Sequence, residues 1–241
     1  MVETDKDRYY IVAFEMAKGR KVDIKNECEW NEEFFRQWGS MVGRIHSLTK
    51  KYKSKQVNIR RPHQYDKDQE FIHMISKKLD DTHTFALQKF IYLSEVLNPD
   101  KTIEHDLYGL VHNDIHCGNF HVLGGELQLF DCDECSYNWF GNDIAIPLFY
   151  SVWEATPNNI ERTEFAKKFL HHFLNGYAKE ISITVDTLKY IPSLLKMREV
   201  VLYLFFTTRW NLKQLTYKQQ KVLKEFECNI INDIPFVERI F

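Results

Sequence analysis

The sequence has little that punctuates a chain. Its 241 residues hold six prolines and nine glycines, and no stretch rich in either divides one part from another. A flexible linker between independent domains is therefore not expected. No surplus of one charge exists either: 32 Lys and Arg face 34 Asp and Glu, a formal net charge of -2. That balance argues against a dedicated nucleic-acid binder, which carries a basic excess. Long apolar runs are missing. The longest, Val200–Phe206, has seven residues, against about 20 for a bilayer span, so no membrane helix is expected. Met1–Arg8 is charged and leads into no apolar stretch, so no secretory leader is expected.

Cysteine is scarce and odd in number: Cys28, Cys117, Cys132, Cys135 and Cys228. A chain this long needs no covalent staples, and the expected setting is a reducing cytoplasm. Cys132 and Cys135 form a lone C-x-x-C, without the second pair or the spaced histidines of a zinc site. Ordinary thiols are the expected reading.

Apolar residues are plentiful, at 44% of the chain, enough for a core and too many for wholesale disorder. Tyr9–Glu15 reads as a strand running into a turn at Ala17-Lys18-Gly19. Trp30–Leu48 is a predicted helix, since Phe34, Trp38, Met41, Val42 and Ile45 recur at helical spacing with His46 beside them. Thr49–Arg61 is a charged stretch, expected to be solvated. His83–Val96 is a second helix with Leu87, Phe90, Ile91 and Ser94 on one face. Leu110–His112 is a short strand. Asn119–Leu123 and Glu126–Asp131 alternate and are joined by Gly124-Gly125, a strong hairpin signal because both loop positions accept positive φ. Beyond Trp139 the pattern is helical: Asn142–Trp153, Glu161–Lys179, Val185–Asn211 with Pro192 inside it, and Tyr217–Ile230. The expected fold class is α+β, a helix-rich body with a small β-hairpin that carries the polar residues.

The hairpin has a geometric consequence. If Leu123 faces Glu126, Asn119 lies opposite Phe130, one residue from Asp131. An amide and a carboxylate oxygen then meet at the open end, a donor pair suited to a hard cation such as Mg²⁺. The loop His112-Asn113-Asp114-Ile115-His116-Cys117-Gly118 leads into that end and adds Asp114.

His112-Asn113-Asp114-Ile115-His116-Cys117-Gly118-Asn119 resembles the H-G-D-L-H-x-G-N loop of the aminoglycoside phosphotransferase / choline kinase-like family. Phe130-Asp131-Cys132-Asp133-Glu134-Cys135 resembles its I-D-F-D-D-C segment. Asn138–Ala145 resembles the following aromatic turn and helix start, Trp38–His46 the helix ending in R-L-H, and Phe173–Tyr177 the later F-L-x-G-Y. Asn113 stands where the family has Gly, and Cys132 where it has Phe. The resemblance covers about Tyr9 to Asn211. It implies the C-terminal lobe of a protein-kinase-like fold and transfer of the ATP γ-phosphate to a small-molecule hydroxyl with Mg²⁺.

Carried over residue by residue, the resemblance implies Asp114 as catalytic base and Asn119 and Asp131 as metal ligands. It implies His112, His116 and Asp143 as loop-orienting residues, and Asp133 and Glu134 on the substrate or metal side. Phe14, Glu15, Met16 and Ala17 fall where adenine meets a hinge backbone. Residues 1–20 then read as a remnant N-lobe strand and hinge, and 21–241 as the helical lobe. No Gly precedes Gly19, so the phosphate-covering loop and its Lys are expected to be missing. Two functions stay open: a small-molecule phosphotransferase, and a catalytically inactive binding or regulatory module. Self-association through the exposed floor of the interlobe cleft is expected.

Overall fold

The computed structural model describes residues 2–3, 8–9, 13–53, 60–99, 106–155, 159–238 and 240. It is an α+β molecule, mostly helical, with three two-stranded antiparallel sheets among the described residues. Strands β1 (Val2–Glu3) and β2 (Arg8–Tyr9) pair near the start. Of the strand expected over 9–15, residues 10–12 lie outside the described residues and residues 13–15 have no regular structure.

Helix α1 (Glu32–Thr49) begins where Asn31 accepts the Phe34 N–H on its side chain, satisfying one of the free amides of a first turn. Its buried stripe, Phe34, Phe35, Trp38 and Val42, packs on α5 (Asn159–Tyr177) at close range. Two glycines permit this approach. A Cβ on Gly39 would lie 1.9 Å from the Phe173 carbonyl oxygen, and one on Gly176 the same distance from that of Arg36. Helix α2 (Gln64–Ser76) falls in a stretch for which the sequence gives no element. A 3₁₀ turn (Asp81–His83) leads into α3 (Thr84–Val96), whose buried face is Ala86, Phe90, Leu93 and Ser94. Ile91, expected on that face, is instead exposed, because it lies about 100° around the helix from Phe90.

Strand β3 (Tyr108–Val111) pairs with β6 (Ser136–Trp139), which sequence reasoning missed. Between them, β4 (Phe120–Leu123) and β5 (Glu126–Leu129) form the hairpin, with Leu123 facing Glu126 as expected. Gly124 and Gly125 take φ +59° and +87°. Helix α4 (Asn142–Ala155) is buried along most of its length. The single helix expected over 185–211 is two, α6 (Val185–Lys189) and α7 (Ile191–Arg209), since Pro192 sits in the first turn of α7, where a missing N–H is harmless. Helix α8 (Tyr217–Ile231) closes the body. No helix among the described residues is long and apolar enough to cross a membrane.

Candidate active site

The loop between β3 and β4 is fixed by its backbone. The Asp143 carboxylate, fully buried at the start of α4, accepts the N–H groups of His112 (2.8 Å) and Asn113 (2.7 Å). It also meets His46 Nε2 at 3.1 Å, and His46 Nδ1 meets the Tyr177 hydroxyl at 2.7 Å. The loop is thereby tied through α4 to the α1–α5 pair. Asn113 takes φ +70°, a left-handed backbone that favours Gly and tolerates Asn. Its side chain is fully engaged. The amide oxygen accepts from Asn138 and Asn142, both at 2.9 Å, and the nitrogen donates to the Glu134 carbonyl, to Gln64 and to Ser136.

Asp114 sits at the bend of this loop. One carboxylate oxygen accepts from Arg198 of α7 at 2.6 Å, and the other from Asn119 Nδ2 at 2.9 Å, with His116 Nε2 at 3.4 Å. His116 Nδ1 accepts the Gly118 N–H, which leaves the ring proton on Nε2, towards Asp114. Burial alone would raise the Asp114 carboxyl. The His116 hydrogen bond, the Arg198 and His116 charges and the Asn119 amide outweigh it and hold the group at about 2. Arg198 is itself placed by Tyr150, whose hydroxyl it bonds and whose ring lies 5.0 Å from its guanidinium carbon.

Asn119 gives its amide nitrogen to Asp114, so its oxygen is the end left for a cation. The Phe130 N–H bonds the Asn119 carbonyl at 3.0 Å, which places Asn119 opposite Phe130 and next to Asp131. Asp131 is exposed and takes φ +64°. An amide oxygen and a carboxylate oxygen are hard donors, of the kind that a hard cation such as Mg²⁺ takes. His112 bridges the loop to the hairpin, with Nε2 donating to the Phe130 carbonyl at 3.2 Å and Nδ1 accepting the Asp114 N–H at 3.3 Å.

The other expected residues are more dispersed. Asp133 is exposed, and its carbonyl accepts from Arg61. Glu134 is ion-paired with Lys67 and lines the cavity below. Phe14 and Met16 are 84% and 85% exposed, and Glu15 is exposed as well. Ala17 accepts from His121 Nδ1 at 3.1 Å, and Arg20 exchanges backbone hydrogen bonds with Val122. The segment thus runs beside the hairpin.

A cavity of about 620 Å³ lies between α2, α3 and α7, and Asp114, Asn113, Glu134 and Arg198 line it. Phe71, Met74, Met197 and Val201 give it apolar walls. Arg198 and Tyr150 were missed by sequence reasoning. The available signal was the charged group Lys196, Arg198 and Glu199 within the mostly apolar α7. All five cysteines are free, and no cluster of three or more His, Cys, Asp or Glu is placed to hold a metal among the described residues.

Comparison with known proteins gives consistent matches. The family model described as "Phosphotransferase enzyme family" matches residues 3–180. The amicoumacin kinase of Bacillus subtilis (strain 168) is 31% identical over 228 residues, covering 94% of this chain and 66% of the relative. The solved structure of the amicoumacin kinase hAmiN, in complex with AMP-PNP, Ca²⁺ and Ami, superposes with a TM-score of 0.81 at 33% identity, covering 93% of this chain and 65% of that one. A microcompartment-associated aminopropanol kinase, at 14% identity, shares the fold with a TM-score of 0.60, covering 88% of this chain and 65% of its own. The chain spans just under two thirds of the length of these relatives.

Proposed function

Because the chain belongs to the phosphotransferase enzyme family, we propose that it transfers the γ-phosphoryl group of ATP to a hydroxyl of a small molecule. Asp114 aligns that hydroxyl and receives its proton. The observation that carries this reading is the ionised Asp114 carboxylate on the wall of an apolar cavity. A carboxylate held by three donors keeps one orientation, and positioning supplies much of phosphoryl-transfer catalysis. Asn119 and Asp131 hold Mg²⁺, which when bound neutralises charge on the phosphate oxygens. His112, His116 and Asp143 fix the loop that presents Asp114. Asp133 and Glu134 face the substrate or the metal.

Adenine lies along the backbone of Phe14, Glu15, Met16 and Ala17, with residues 1–20 as the hinge side and 21–241 as the helical lobe. A cytoplasmic location agrees with the free thiols. Self-association through the face that exposes Phe14 and Met16 belongs to the same reading.

Two relatives above 30% identity are named amicoumacin kinases, so amicoumacin is the first acceptor to test. The assay follows phosphoryl transfer from ATP with Mg²⁺ by mass spectrometry. The expected result is a phosphorylated product from the wild-type chain, with Asp114→Asn slowing its formation by about 10²–10⁴. Equal rates in the two proteins would refute the role of Asp114. Absence of transfer to amicoumacin and to a panel of other small alcohols would refute the activity.

A further inference from the structure

The cavity has a second polar feature. Asp68, on α2, lines it and is 7% exposed. Its Oδ1 accepts from Gln64 Nε2 at 2.9 Å and its Oδ2 from Ser94 Oγ at 3.2 Å. Both donors are neutral. The cations nearest the cavity are committed elsewhere: Lys67 pairs with Glu134, and Arg198 with Asp114. Burial pushes the Asp68 carboxyl up to about 6, against the smaller opposing effects of Gln64, Ser94 and the Lys67 charge. At neutral pH the cavity wall thus holds a buried carboxylate without a counterion. That arrangement is costly unless a ligand completes it. A purely structural staple between α2 and α3 would need only hydrogen bonds, which an amide makes as well as an acid.

We propose that Asp68 is a specificity-determining residue of the acceptor cavity, receiving an ammonium group of a small molecule whose body is apolar. This rests on the cavity being the acceptor site. The apolar body lies along Phe71, Met74, Met197 and Val201, the ammonium meets Asp68, and the hydroxyl to be phosphorylated meets Asp114. An amine without an apolar body leaves those walls wet, and a neutral apolar alcohol leaves Asp68 uncompensated. The site selects for both features together.

The experiment measures binding by the full chain of two matched probes, 4-phenylbutylammonium and 4-phenylbutanol, by calorimetry at pH 7.5. A charge-assisted hydrogen bond in a buried site predicts about tenfold tighter binding of the ammonium. Asp68→Asn keeps the shape and should bring the ratio to about one, with its circular dichroism unchanged. Glu70→Gln, which alters an exposed carboxylate on the rim of the same cavity, should leave the wild-type ratio in place. Equal affinities in the wild type, no measurable binding of either probe, or a preference that survives Asp68→Asn overturns the proposal. The readout needs neither ATP nor transfer, so a failed kinase assay and a failed probe ratio are separate results.

Discussion

Replacing Asp68 by Asn should make the chain more stable at neutral pH, and the gain should vanish in acid. The carboxyl titrates at about 6 in the folded protein and at 3.8 ordinarily. A separation of about two pH units corresponds to about 3 kcal/mol of folding free energy, at about 1.4 kcal/mol per unit. The folded value is the raised one, so folding favours the protonated acid. That contribution is complete below about pH 4 and is lost as pH rises through 6. Asn carries no charge at any of these values. The Asn variant and wild type should therefore match within about 1 kcal/mol near pH 4, the margin set by the altered Ser94 hydrogen bond. They should differ by about 3 kcal/mol at pH 7.5, with the variant ahead. In a chain this size about 1 kcal/mol moves the melting temperature by about 2–4 °C, so the neutral-pH gain should be roughly 6–12 °C. Urea denaturation of both proteins from pH 4 to pH 8, compared as a difference, cancels the other carboxylates. A difference that stays flat across that range, or a wild type more stable than the variant at pH 7.5, would refute the account of Asp68 as an uncompensated buried charge.

Two other substitutions test how the site is held. Gly39→Ala places a methyl 1.9 Å from the Phe173 carbonyl oxygen and forces α1 and α5 apart, which should cost about 1–3 kcal/mol in urea denaturation; an unchanged midpoint would show that the helices are not so closely seated. Asp143→Asn retains a single side-chain oxygen where two now receive the His112 and Asn113 amides, so one buried N–H loses its acceptor, at about 1–3 kcal/mol. Thermal unfolding should show that loss, and kcat for phosphoryl transfer should fall more than KM rises, since the loop presents Asp114 and does not line the apolar walls.

The hairpin was legible because a Gly-Gly pair between alternating runs leaves few other structures, and its register followed from counting back from the turn. The apolar stripe of α1 was legible for the same kind of reason, a period repeated over several turns. The α2 helix was not, because Gln64–Ser76 concentrates its apolar residues near its end and is polar at its start. Strand β6 owes its existence to pairing with β3 across 24 intervening residues, a contact that no local pattern announces. The Asp114 loop could be picked out in the sequence by its residue types and spacing, through the family motif they resemble. The Arg198 and Tyr150 contacts to it could not, since they depend on how α4 and α7 cross. Asn113 is an intermediate case: its backbone role could be guessed from the glycine it replaces, but its five side-chain partners come from two separate parts of the chain, Gln64 of α2 and the stretch 134–142.

The anchoring of the Asp114 loop also sets an order of assembly during synthesis. His112 and Asn113 leave the ribosome before their acceptor, Asp143, and His46 long before its second partner, Tyr177. Arg198 arrives after all of them. Until α5 has emerged and docked on α1, His46 lacks its hydroxyl partner and the loop is tethered to a helix that is not yet seated. Until α7 has emerged, the Asp114 carboxylate lacks its strongest cation. The candidate site therefore comes into being only once α7 has emerged, although Asp114 lies 84 residues before Arg198 in the sequence.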